Sequence, residues 1–171
     1  MEELGRLSVD EFQQADKHSI VLVLDNIRSM HNVGSVFRSA DAFRAAAICL
    51  CGYTPQPPHR DIHKTALGAT ETVRWTFHST TKEAVMRLRE EGYQVYAVEQ
   101  VENSIPLDRF RSVTRSEKTA LVFGNEVEGV DADVLPLCDG SVEIPQFGTK
   151  HSLNVSVAAG IVLWEMVRRE S

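Results

Sequence analysis

Long hydrophobic runs are missing from this chain. The longest strongly apolar stretch, Ile20 to Leu24, falls far short of the roughly 20 residues a helix needs to cross a bilayer. The opening Met1-Glu2-Glu3-Leu4 is acidic where a secretory leader would be basic, so the expectation is a soluble, cytoplasmic chain. Cysteine is scarce as well, and three residues leave one unpaired in any disulfide scheme. Cys49 and Cys51 stand two apart in a strand-like apolar run and would face the same side of a sheet. Without further Cys or His at zinc-ligand spacing, they read as buried thiols rather than as a metal or redox site, and no metal is expected. An excess of positive charge is also absent. The formal net charge of −6 weighs against a protein that coats nucleic acid indiscriminately, because neutralising phosphates takes clustered Lys and Arg.

What is present suffices for one domain. A length of 171 residues with 43% hydrophobic content can bury a sizeable core but is short for two ordinary domains, so a single domain over residues 1–171 is expected. Charge is uneven. Acidic residues crowd the start (Glu2, Glu3, Asp10, Glu11, Asp16) and the stretch Glu83 to Glu102, whereas Arg109, Arg111, Arg115 and Lys118 form a basic cluster. Further cations, Arg28, His31, Arg38, Arg60, His63 and Lys64, lie close to the segments singled out below. They allow either a local RNA footprint or a solvated surface.

Strand-like and helical patterns alternate. Ile20 to Leu24 reads as a strand buried on both faces. Asn32 then offers a helix cap, with Val33, Val36, Phe37, Ala40 and Phe43 recurring at helical spacing to about Arg44. Further strands are expected at Ala46 to Cys51, Val73 to Phe77, Gln94 to Val98, Ala120 to Phe123 and Ser141 to Ile144. Helices are expected at Lys64 to Gly68, Thr81 to Gly92, Asp131 to Cys138 and Ser152 to Arg169. The alternation predicts an α/β domain, a mainly parallel sheet flanked by helices on both sides.

Three segments could carry chemistry. The first, Asn26 to Arg38, leaves the C-terminal end of the first strand, where open α/β sheets place ligands. Asn32 and Arg38 are nearly two helical turns apart and could reach a common site; taken singly, they also suit a plain cap and a surface ion pair. The second, Leu121-Val122-Phe123-Gly124-Asn125-Glu126-Val127-Glu128-Gly129-Val130, is a buried strand emptying into a loop whose glycines, Gly124 and Gly129, can present backbone groups to a cofactor. It lacks the Lys-Ser/Thr ending of a phosphate loop, and Glu126 and Glu128 suit a cationic or hydroxyl-rich ligand better than phosphate. The third, Ile144 to Gly160, is a strand end that breaks into a polar loop and then opens a helix. There Ile144 and Leu153 could flank an apolar slot for a planar base, with Ser152 and Asn154 supplying hydrogen-bonding groups. A dinucleotide oxidoreductase is disfavoured, since no Gly-x-Gly-x-x-Gly turn follows the first strand, which continues as Asp25-Asn26-Ile27-Arg28.

In this order and wording, the three segments resemble motifs one, two and three of the SpoU (TrmH-like) RNA ribose 2'-O-methyltransferases of the SPOUT superfamily, from about Ile20 to Glu165. The resemblance implies a SPOUT domain with a C-terminal trefoil knot, acting as a homodimer with S-adenosyl-L-methionine as cofactor and RNA as substrate. On this resemblance Asn32, Arg38, Glu126, Ser152 and Asn154 are the candidate catalytic residues, and Gly124, Glu126, Gly129, Ile144, Leu153 and Asn154 the candidate cofactor contacts. Arg38 would come from the subunit opposite the bound cofactor. A guanidinium with a pKa above about 12 is a poor base, so Arg38 is expected to grip a phosphate and ease the hydroxyl's ionisation while Asn32 and Ser152 orient it. With little chain available for a separate RNA-binding domain, contacts are expected at Arg28, His31, Arg38, Arg60 and Lys64, and tRNA is favoured over rRNA. The alternative is a non-catalytic RNA-binding or ribosome-assembly protein of the same fold.

Overall fold

A computed structural model describes residues 5–110 and 117–168. Glu2 and Glu3 of the acidic start, Arg111 and Arg115 of the basic cluster, and Arg169 at the expected end of the last helix lie outside the described residues. In chain order the elements are α1 (Val9–Gln14), β1 (His18–Asp25), α2 (Met30–Ala42), β2 (Ala45–Cys51), α3 (Arg60–Ala66), α4 (Ala69–Thr72), β3 (Trp75–His78), α5 (Thr81–Glu90), β4 (Gln94–Val98), β5 (Ile105–Pro106), β6 (Thr119–Phe123), a 3-10 turn (Leu135–Leu137), β7 (Gly140–Glu143) and α6 (Val155–Arg168). The strands form one seven-stranded sheet, β3-β2-β1-β6-β4-β7-β5, and every ladder in it is parallel.

The apolar run at Ile20 to Leu24 becomes the middle of β1, with Leu22 registered against Ile48 of β2 and Leu121 of β6. Both faces of these strands are covered, as a parallel sheet requires. On one side Leu22, Leu24, Ile48, Leu121 and Phe123 pack with Phe37 of α2 and Leu163 and Met166 of α6. On the other side Val21, Val23, Val95 and Val122 meet Ala84, Val85 and Leu88 of α5. Cys49 and Cys51 share this second face as free thiols, and burial pushes both above the ordinary thiol pKa. Because the ladders run parallel, the strand ends Asp25, Cys51, His78, Val98, Phe123 and Glu143 all reach one edge of the sheet. That edge is where all three chemistry-bearing segments emerge.

Several expectations need correction. Asn32 does not cap α2: Ser29 does, its hydroxyl accepting from the Asn32 N–H at 3.2 Å, so the helix starts three residues before the expected Val33. The helix expected at Lys64 to Gly68 is α3, which starts four residues earlier and stops at Ala66, where Leu67 and Gly68 turn left-handed and lead into a further helix, α4, that was not expected. Val73 ends α4, so β3 begins only at Trp75. The segment Asp131 to Cys138 holds only the 3-10 turn around Pro136, because proline lacks the N–H an α-helix would use. Short α1 and two-residue β5 had no expected counterpart.

Gly34 marks the tightest helix contact. A Cβ there would stand 2.0 Å from Thr65 Oγ1 and 2.3 Å from the Ile62 carbonyl, so α2 and α3 touch only because position 34 has no side chain. Replacing Gly34 with Ala is expected to destabilise the protein by about 1–3 kcal/mol through overpacking. A wild-type urea midpoint for this variant would show that the helices separate freely.

Candidate active site

Glu126 ties the first two segments together. Its carboxylate accepts from the Arg28 N–H at 3.0 Å, the Ser29 N–H at 3.1 Å and the Asn32 side-chain amide at 3.3 Å. The first N–H groups of a helix have no partner within it, and the peptide dipoles favour negative charge there. Partial burial pushes the Glu126 pKa up, but the hydrogen bonds from Arg28, Ser29 and Asn32 outweigh it and hold the carboxyl below its ordinary value. Asn32 continues the chain, its Oδ1 accepting from Asn154 Nδ2 at 3.1 Å. Asn154 Oδ1 in turn accepts from the N–H groups of Ser156 at 2.9 Å and Val157 at 3.4 Å, capping α6. One polar relay thus runs through all three segments, from residue 126 to 32 to 154.

The second loop holds its shape through Asn125 and its glycines. Asn125 and Gly129 exchange backbone hydrogen bonds of 2.9 Å, and Asn125 Oδ1 accepts from the N–H groups of Val127 at 2.8 Å and Glu128 at 3.0 Å. The Asn125 amide donates to the Asn26 carbonyl at 2.7 Å and the Tyr53 hydroxyl at 2.8 Å, binding the loops after β1 and β2 to the same knot of contacts. A Cβ on Gly124 would sit 2.1 Å from the Gly129 carbonyl carbon, so the turn closes only with glycine. Gly129 has φ +73 and stands against Glu99, whose carboxylate accepts from the Val130 N–H at 3.0 Å.

A cleft of about 410 Å³ opens between the end of β4 at Val98 and Glu99, the loop from Phe123 to Gly129, and Ser152 to Val155. Its size falls in the roughly 300–1,000 Å³ range of small-molecule sites. Gly124, Glu126, Gly129, Ser152, Leu153 and Asn154 all line it. Ile144 lines a smaller adjoining hollow of about 100 Å³ with Gln146 and His151, and that hollow shares Ser152 and Leu153 with the cleft. Asn32 reaches the cleft's edge through its bonds to Glu126 and Asn154.

The expected cations are more scattered. Arg28 and His31 are exposed at the start of α2, beside α3, where Thr65 Oγ1 donates to the His31 carbonyl at 2.9 Å. Arg60 and Lys64 on α3 lie 3.6 and 3.7 Å from Asp61. Arg38 is exposed and lines a different hollow, with α1 and α4 residues, that shares no lining residue with the cleft. Asn26 and Asn125 lie within the first and second segments without having been given a role, and Val98, Glu99 and Tyr53 lie outside all three; the local signal for these is position, since each follows or ends a strand at the ligand-bearing edge. Among the described residues no group of three or more His, Cys, Asp or Glu is placed to hold a metal ion, and no helix is long and apolar enough to cross a membrane.

The depressed pKa of Glu126 gives a stability signature. Its contribution is complete above the unfolded carboxyl value of about 4.3 and is lost as the pH falls through the lower folded value. Glu126→Gln should therefore cost about 1 kcal/mol at neutral pH, discounted for solvent screening, and the gap from wild type should close in acid. Urea titrations over a pH series would measure it; a gap independent of pH would assign the loss to packing.

A profile of the SpoU rRNA Methylase family matches residues 19–164. The tRNA (guanosine(18)-2'-O)-methyltransferase of Thermus thermophilus is 32% identical over 170 residues, covering 98% of this chain and 84% of that protein. A 23S rRNA (guanosine-2'-O-)-methyltransferase of Nitrosomonas europaea is 34% identical over 153 residues, covering 90% of this chain and 57% of its own. The AdoMet-bound rRNA methyltransferase from Sinorhizobium meliloti superposes with a TM-score of 0.80 at 26% identity, over 92% of this chain and 60% of that one.

Proposed function

The chain belongs to the SpoU rRNA Methylase family, and from that premise we propose that its cleft binds S-adenosyl-L-methionine for methyl transfer to a ribose 2'-hydroxyl of RNA. It is an enzyme, an RNA ribose-2'-O-methyltransferase, and one observation carries this reading. The polar relay through Glu126, Asn32 and Asn154 brings all three motif loops to a single cleft of suitable size. We take residues 1–171 as one SPOUT domain, knotted at its C-terminal segment as family membership implies, and acting in the cytoplasm. The substrate we favour is tRNA, supported by the name of the Thermus relative.

The residues fit the cofactor. The cleft combines apolar Val98 and Leu153 with the carboxylates of Glu99 and Glu128 and with the backbone of a glycine-closed turn. That mixture suits a ligand with a flat base, a ribose diol and a positive centre. When bound, the cofactor supplies an already activated methyl group. The protein's own task is alignment and stabilisation of the oxygen as it loses its proton. Glu126, engaged by three donors and held ionised, organises the loops rather than abstracting a proton.

Arg38 stands outside the cleft of its own protomer, which is why we propose a homodimer in which each cleft receives the partner's arginine. The exposed side of α6 supports this: Val157, Ile161 and Trp164 are 50%, 37% and 57% exposed, and at helical spacing they form one apolar stripe. Trp164→Glu is expected to yield monomers in sedimentation and to abolish methyl transfer. Methylating monomers would remove the partner from the mechanism.

The reaction is tested with purified protein, labelled S-adenosylmethionine and tRNA transcripts, by mapping alkali-resistant linkages. Label appearing only on bases, or cofactor that fails to bind in calorimetry, would overturn the assignment. Arg38→Lys and Arg38→Ala should each slow single-turnover transfer about 100-fold or more with cofactor affinity retained. Transfer by either variant at the wild-type rate would strip Arg38 of its role.

A further inference from the structure

We propose that the hollow lined by Arg6, Arg38 and Arg44 is a binding site for the phosphodiester backbone of the substrate RNA, with Arg6 and Arg44 as its positioning residues. The inference deepens the function proposed above and rests on it. The hollow, about 570 Å³ and distinct from the cofactor cleft, is walled by α1, α2 and α4. Its three guanidiniums come from separate places in the chain: the segment before α1, the middle of α2, and the turn joining α2 to β2. None of them makes an ion pair among the described residues. Two carboxylates, Asp41 and Glu71, line the same hollow, and Asp41 is engaged by the Thr72 hydroxyl. Three guanidiniums against two carboxylates leave this depression net positive in a chain with a net charge of −6, and phosphate oxygens are the partners that planar guanidinium groups match best.

Two further observations agree. Arg44 has a φ of +50, just beyond the end of a helix where glycine or asparagine takes that conformation at lower cost. A strained position that nevertheless carries arginine points to use of the side chain. Near it, outside the lining of the hollow, the Lys17 ammonium donates to the Phe12 and Ala15 carbonyls and adds positive charge close by. Burial and the neighbouring Arg44 hold its ammonium below the usual lysine value; it sits 4.2 Å above the Phe12 ring, and Phe12 lines the hollow. Because Arg38 belongs to the same depression, backbone held by Arg6 and Arg44 would run past the arginine assigned to the reaction.

The test uses the full chain, an unmodified tRNA transcript and a potassium chloride series. The double variant Arg6→Ala, Arg44→Gly should bind the transcript about tenfold more weakly near 100 mM salt, with the slope of log affinity against log salt smaller by about two. Its cofactor affinity should be unchanged, and its melting temperature unchanged or higher, since glycine relieves the strain at position 44. Charge-preserving Arg6→Lys should keep most of the affinity. If wild type binds and methylates the RNA while the double variant binds it with the same constant and slope, the phosphate site is refuted and the methyltransferase reading survives. If wild type itself neither binds nor methylates RNA, both fall together.

Discussion

The carboxylate of Glu126 is the point on which the site depends. It satisfies two backbone N–H groups at the entry to α2 and the Asn32 amide, groups that would otherwise need water or another partner. By doing so it fixes the distance between the loops after β1 and β6. Neither loop could hold the other in place alone, because the donors belong to one and the acceptor to the other. The bonds are charge-assisted, and charge-assisted bonds are stronger than neutral ones. A carboxylate spent in this way is a poor base but a good fastener.

Around this fastener the fold supplies rigidity from below. β1 and β6 lie side by side in the middle of the sheet, with Leu22 and Leu121 fully buried, so the two loops leave from strands that cannot slide. α6 packs on the same face as α2, and Asn154 makes its first turn continuous with the start of α2. The site is therefore a junction of three strand or helix ends, each anchored in the core, rather than an excursion of one long loop. Anchored ends of this kind hold polar groups in place better than mobile loops do.

Much of the fold was legible in the sequence because burial on both faces writes continuous apolar runs, and β1, β2, β4 and β6 lie within a residue or two of where those runs predict them. The motif residues were also legible, and the cleft gathers Gly124, Glu126, Gly129, Ser152, Leu153 and Asn154. What could not be read was set by partners far away in the chain. Ser29 and Asn32 are both good caps; Ser29 takes that role while the Asn32 side chain joins Glu126, 94 positions later. Tyr53 and Asn26 join Asn125 across 72 and 99 positions, with no periodicity to announce them. Two-residue β5 is too short to leave a pattern, and whether an arginine on α2 faces the cleft or another hollow depends on helix placement.

The bond between Asn32 and Asn154 spans 122 residues, which gives the site an order of assembly. The sheet's centre and the first two loops precede Asn154 and α6 in the chain, so the relay and its capping turn stay open until α6 is in place. Closing so wide a span costs little more than closing a moderate one, since the entropy penalty grows only logarithmically with length. With α6 undocked the central strands keep their ladders yet the pocket is unfinished, because Ser152 to Val155 are missing from its wall, so competence to modify RNA waits on the docking of that helix.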